Sequence, residues 1–130
     1  MKGLKVLLVD DEQEFIEVLS KRLEMRDLDT SVALDGEEAL QAVQDEEPDV
    51  MLLDLRMPGM DGMEVLRRIK KAYPKVPIVM LTGHGSRKDE EEARRLGAYA
   101  YLQKPVELQR LSEILREAFE KTSAGASGAN

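Results

Sequence analysis

Cysteine and tryptophan are absent from this 130-residue chain, histidine occurs once, and aromatic residues make up only 4% of it. Without cysteine there is no disulfide framework and no thiolate metal site. That agrees with a reducing compartment, and the cytoplasm is the expected location. The lone histidine, His84, has no second histidine or cysteine near it in sequence with which to share a metal. No apolar run approaches the ~20 residues that span a bilayer. Met1 leads into a strand-like segment rather than a signal peptide, so no membrane association is expected. Positive charge is also short: 19 Lys and Arg against 26 Asp and Glu leave a formal net charge of -7. Such a surface repels a phosphate backbone, which argues against direct nucleic-acid binding.

What remains is 42% hydrophobic and 35% charged, the profile of a globular domain built on aliphatic side chains. The length fits one domain that buries roughly two-thirds of its unfolded surface. Short apolar runs alternate with helical patterns. "KVLLV" (5 to 9), "VMLL" (50 to 53) and "IVML" (78 to 81) lack polar alternation and read as strands covered on both faces. "TSVA" (30 to 33) and "AYL" (100 to 102) are weaker strands. Between them, Phe15, Leu19 and Leu23 mark a first helix, Leu40 and Val43 a second, and Val65, Leu66 and Ile69 a third. A fourth, near 87 to 96, has only Ala93 and Leu96 to bury, and a fifth carries Leu108, Leu111, Leu115 and Phe119. Asp35 followed by Glu38 fits a capping box at the start of the second helix. Five β-α units predict an α/β domain with a parallel sheet covered on both faces, spanning residues 1–120. Residues 121–130, "KTSAGASGAN", lose apolar periodicity and read as a flexible tail or the start of a linker.

In an open parallel sheet, ligands bind beyond the carboxyl ends of the strands, near the point where strand order reverses. The first strand ends in Asp10 and Asp11, the third in Asp54, the fourth in Thr82, and the fifth runs through Gln103 to Lys104. Each has a bland explanation alone: a helix cap, a turn, a Gly-rich loop, an exposed lysine. Together they place three carboxylates on one rim, where charges 4 Å apart repel by roughly 4 kcal/mol in an effective dielectric near 20. The group must hold a proton, raise a pKa or bind a cation. An all-oxygen cluster suits a hard ion such as octahedral Mg²⁺. A carboxylate beside a cation, a hydroxyl and an ammonium can also take a phosphoryl group, with Asp54 as nucleophile and Thr82 and Lys104 neutralising the transferred oxygens.

The segments "VDDE" (9 to 12), "LLDLRMPGMDG" (52 to 62), "MLTGHGS" (80 to 86) and "LQKP" (102 to 105) resemble, in order and position, the receiver domain of bacterial two-component response regulators. The resemblance runs from about Leu4 to Phe119. It implies a flavodoxin-like (βα)5 three-layer sandwich, a parallel five-stranded sheet of order 2-1-3-4-5, and a cis bond before Pro105. It implies Asp54 as phosphoacceptor, with Mg²⁺, or Mn²⁺ in its place, held by Asp10, Asp11, Asp54 and the main-chain carbonyl of Arg56. Thr82 and Tyr101 match the switch residues and Lys104 the phosphate-binding lysine, while Arg56 and His84 stand where the phosphoryl lifetime is tuned. The implied partners are a histidine kinase or histidine phosphotransfer protein, and a downstream protein or output domain. A phosphorylation-dependent homodimer through the fourth helix, fifth strand and fifth helix is implied as well. Such a chain is a signalling switch with self-catalysed phosphorylation and dephosphorylation, not an enzyme in the usual sense.

Two other classes share parts of this pattern. A phosphatase of the haloacid dehalogenase type uses an aspartyl phosphate and Mg²⁺, but its nucleophile opens a D-x-D motif on the first strand, and position 56 here is Arg. A flavodoxin-type electron carrier needs a hydroxyl-rich phosphate loop where this chain has "DDEQE".

Overall fold

Strands whose residues are apolar on both faces need cover on both faces, and the chain supplies it with five helices. In the computed structural model, residues 3–128 are described, with side chains described for residues 3–122. The elements are β1 (Leu4–Val9), α1 (Gln13–Glu24), β2 (Leu28–Ala33), α2 (Gly36–Asp45), β3 (Val50–Leu53), α3 (Gly62–Ala72), β4 (Ile78–Thr82), α4 (Arg87–Arg95), β5 (Ala100–Gln103) and α5 (Leu108–Gly128). The strands form one sheet, order β2-β1-β3-β4-β5, with every pair parallel. This is the flavodoxin-like three-layer arrangement expected from the sequence.

Alternate strand residues divide between two cores. Val6, Leu8, Val50, Leu52, Val79 and Leu81 pack with α1 and α5, whereas Leu7, Val9, Met51, Leu53, Ile78 and Met80 pack with α2, α3 and α4. Burying each such side chain contributes about 1.5–3 kcal/mol. The central strands are thereby held from both sides, and the loops at their carboxyl ends start from a rigid base.

Several local details differ from the sequence reading. In α1 the buried stripe is Ile16, Leu19 and Leu23, and Phe15 lies on its flank, 37% exposed. In α5 the buried set is Leu111, Ile114, Leu115 and Ala118, with Leu108 and Phe119 half-buried at the edge. One residue turns a helix by about 100°, so a stripe chosen one position off still looks periodic. Asp35 does cap α2, accepting from the Glu38 amide at 2.8 Å, but the Glu38 carboxylate returns to the Leu34 amide rather than to that of Asp35. A full capping box appears instead on α4, between Ser86 and Asp89, where the apolar pattern was poorest. Its acceptors satisfy amides that burial of Ala93 alone would not secure. Helix α5 continues through Gly128, beyond Lys121 where the periodicity ends. Among the described residues no helix is long and apolar enough to cross a membrane.

Candidate functional site

Register brings the polar residues together. Val9 pairs with Leu53, so the next residues, Asp10 and Asp54, leave neighbouring strands at the same level. The Asp54 amide donates to the Val9 carbonyl at 2.9 Å, and the Asp10 amide to the Ala33 carbonyl at 3.1 Å. Thr82 pairs with Gln103, and the Lys104 amide donates to the Thr82 carbonyl at 2.8 Å. Strand order reverses between β1 and β3, because β1 leads outward to β2 while β3 leads the other way to β4. The loops after β1 and β3 therefore part, and the crevice opens over Asp10 and Asp54.

Asp10, Asp54 and Thr82 are all buried, at 2%, 6% and 0% exposure. Burial, followed by the charge of Asp10, raises the Asp54 carboxyl above the usual range, against the pull of Lys104, the Leu55 amide and the Thr82 hydroxyl. The Thr82 hydroxyl also accepts from the His84 amide at 3.2 Å. The Lys104 ammonium donates to Asp10 Oδ2 at 2.8 Å and to Glu12 Oε1 at 2.9 Å. Burial opposes its charge most, but those two bonds and the charges of Asp10 and Asp54 together lift its pKa above the ordinary value. The bond before Pro105 is cis.

A cleft of about 450 Å³ stands over these groups, bordered by Asp11, Glu12, Asp54, Arg56, Gly83, His84 and Lys104. Oxygen atoms of Asp10, Glu12 and Asp54 lie within 4.8 Å of one another, close enough to share a metal ion. Three carboxylates, two of them buried, and no nitrogen or sulfur donor fit a hard divalent cation. Asp11 is exposed at the bend after β1 and lines the cleft, while the third carboxylate of the close group is Glu12, which also accepts from Lys104. The Asp10 side chain accepts from the Glu12 amide at 2.9 Å, which folds the chain so that Glu12 reaches the rim. "VDDE" holds the signal for Glu12, but three consecutive acids do not say which two turn inward.

Arg56 and His84 are exposed at the cleft mouth, and Arg56 pairs with Asp89 of α4 at 3.5 Å. Tyr101 is buried in the α2–α4 core at 6% exposure, and its hydroxyl has no hydrogen-bond partner. It occupies the space beside Gly85, where a Cβ would stand 1.5 Å from the hydroxyl. Only glycine leaves room for the ring in this position.

These features define a doubly wound α/β domain with an acidic, lysine-bearing crevice at its switch point. The sequence pattern of the response regulator receiver domain matches residues 6–116, and the chain belongs to that family, the receivers of two-component systems. A CheY-like response regulator receiver domain protein from Methanospirillum hungatei JF-1 superposes with a TM-score of 0.91 at 27% identity, over 95% of this chain and 99% of that one. The receiver domain of NtrX from Brucella abortus gives a TM-score of 0.83 at 35% identity, over 88% of this chain and 98% of its own. A longer NtrX chain from Brucella abortus, 32% identical with a TM-score of 0.90, is matched over 98% of this chain but 29% of that one. This chain thus spans less than a third of that relative's length.

Proposed function

We propose that this domain accepts a phosphoryl group on Asp54 from the phosphohistidine of a histidine kinase or histidine phosphotransfer protein. The carrying observation is the Asp54 carboxylate, 6% exposed yet open to the cleft, with a buried carboxylate, a hydroxyl and an ammonium around it. An Asp54 oxygen attacks phosphorus, the P–N bond to the imidazole breaks, and its electron pair stays on the ring nitrogen, which then takes a proton. The Thr82 hydroxyl and the Lys104 ammonium donate to the transferred oxygens as charge builds on them. Asp10, Asp11 and Asp54, with the Arg56 main-chain carbonyl, would hold Mg²⁺ or Mn²⁺ at this cleft, with Glu12 beside them on Lys104. The ion, when bound, would neutralise the carboxylates and the incoming phosphoryl oxygens.

The acyl phosphate alters the face formed by α4, β5 and α5, through Thr82 and Tyr101. A downstream protein, an attached output domain or a second copy of the domain reads that face. Arg56 and His84, at the cleft mouth, govern water access and so the phosphoryl lifetime. The domain acts in the cytoplasm as a switch with self-catalysed chemistry rather than as a turnover enzyme. Incubation with Mg²⁺ and acetyl phosphate, followed by intact mass, tests this. One added phosphoryl group that requires Mg²⁺ and Asp54 is expected. An adduct that persists in Asp54→Asn, or no adduct together with no beryllofluoride binding, would refute the assignment.

A further inference from the structure

We propose that Glu12 and Phe15 are positioning residues for Lys104, holding its ammonium beside Asp54 rather than on it, so that an arriving phosphoryl group must draw it away. This rests on the phosphoacceptor reading above and adds to it two residues at the start of α1, its N-cap Glu12 and Phe15, that take no part in the transfer itself.

The ammonium is held from three directions. Asp10 Oδ2 and Glu12 Oε1 lie 2.8 Å and 2.9 Å away, and the Phe15 ring centroid 4.3 Å away. Two of its three N–H groups are thus committed to carboxylates, and the ring face receives its remaining positive surface. Lys104 acts on Asp54 through space only, as a charge that lowers the Asp54 pKa.

Among the described residues the Glu12 carboxylate hydrogen-bonds Lys104 alone, and Phe15 belongs to neither core. Glu12 is the N-cap residue of α1, but its side chain makes no capping bond. Phe15 is 37% exposed and lies off the buried stripe of α1. Three residues apart at the start of one helix, they share a face and present a carboxylate and a ring together. The side chain of Glu12 is 64% exposed against 3% for Asp10. An exposed pair is weak, so Glu12 is the grip that a phosphoryl group can break, while Asp10 keeps the lysine nearby.

The test compares rate constants for phosphorylation by acetyl phosphate at saturating Mg²⁺, read by intact mass. The variants are Glu12→Gln and Phe15→Leu, each made in the native chain and in Lys104→Met. In the native background each change is expected to raise the rate about two- to fivefold, the scale of a part-exposed ion pair or cation–π contact. In Lys104→Met both should change it by less than ~1.5-fold, since residues that act through one partner are non-additive. Phe15→Leu leaves the charge unchanged, which separates loss of the grip from loss of a negative charge. Equal effects in both backgrounds, or a slower reaction in the native one, would overturn the proposal. Should Lys104→Met react too slowly to measure, the ¹⁵N resonance of the Lys104 ammonium decides. Its slow proton exchange must be lost in Glu12→Gln, and retention refutes the grip. A native chain that takes up neither phosphoryl nor beryllofluoride marks instead the failure of the phosphoacceptor reading.

Discussion

Replacing Asp54 by Asn is expected to stabilise the fold at neutral pH, although it removes the proposed reactive group. The native carboxylate is 6% exposed, and its oxygen lies within 4.8 Å of those of Asp10 and Glu12. Unit charges at that spacing repel by about 3.5 kcal/mol in an effective dielectric near 20. Lys104 offsets much of this, leaving a net penalty on the order of 1–2 kcal/mol. Because burial and Asp10 raise the Asp54 pKa, the folded chain binds that proton more tightly than the unfolded chain, whose value is 3.8. Stability from this group is therefore present below the unfolded pKa and lost as pH rises through the folded one. Calorimetry at low salt and without divalent ions, at pH 7 and near pH 4, checks the sign. Asp54→Asn should melt about 3–8 °C above the native chain at pH 7, and the gap should shrink on acidification. Mg²⁺ should raise the native melting temperature and have a smaller effect on the variant. An equal or lower melting temperature for Asp54→Asn at pH 7, or a gap that widens in acid, would refute the account of a strained carboxylate cluster.

Three further outcomes are expected from individual contacts. Tyr101→Phe removes a buried hydroxyl without a partner, so urea denaturation should show a gain of about 1 kcal/mol and no loss. Gly62→Ala would set a Cβ 2.1 Å from the Asp54 carbonyl oxygen and 2.8 Å from Leu55 Cα. Since that obstacle is backbone, the variant should lose at least ~1–3 kcal/mol in the same assay, and an undiminished stability would contradict the packing. Tyr99, hydrogen-bonded to Glu117, has its phenol pushed up to about 12. Burial also raises the Tyr101 phenol, so ultraviolet titration should find two of the three tyrosines ionising late, and Glu117→Gln should return only Tyr99 toward ~10.

The layers were legible because they rest on local composition. "VMLL" and "IVML" lack polar alternation for the same reason they lie in the middle of the sheet, with helices on both sides. The site was legible in outline because strand ends converge in a parallel sheet, which placed Asp10, Asp54, Thr82 and Lys104 on one rim. The family pattern, not periodicity, supplied the strand order, since local runs do not reveal which strands are neighbours.

Other features depended on residues far apart in the chain. Ile16 rather than Phe15 enters the core because α1 is seated against α5 and the sheet, and the Phe15 ring then meets Lys104. Tyr101 is buried because Gly85, sixteen positions earlier, leaves room for its hydroxyl. The choice of Glu12 over Asp11 turns on an ammonium 92 positions away. By itself the sequence determined the fold class and the acidic rim that carries Asp54, through burial patterns and strand-end positions that are local. Only the tertiary structure decided which acid of "DDE" grips the lysine and which aromatic supports it, because hydrogen bonds and ring contacts form between side chains that the folded sheet alone brings within reach.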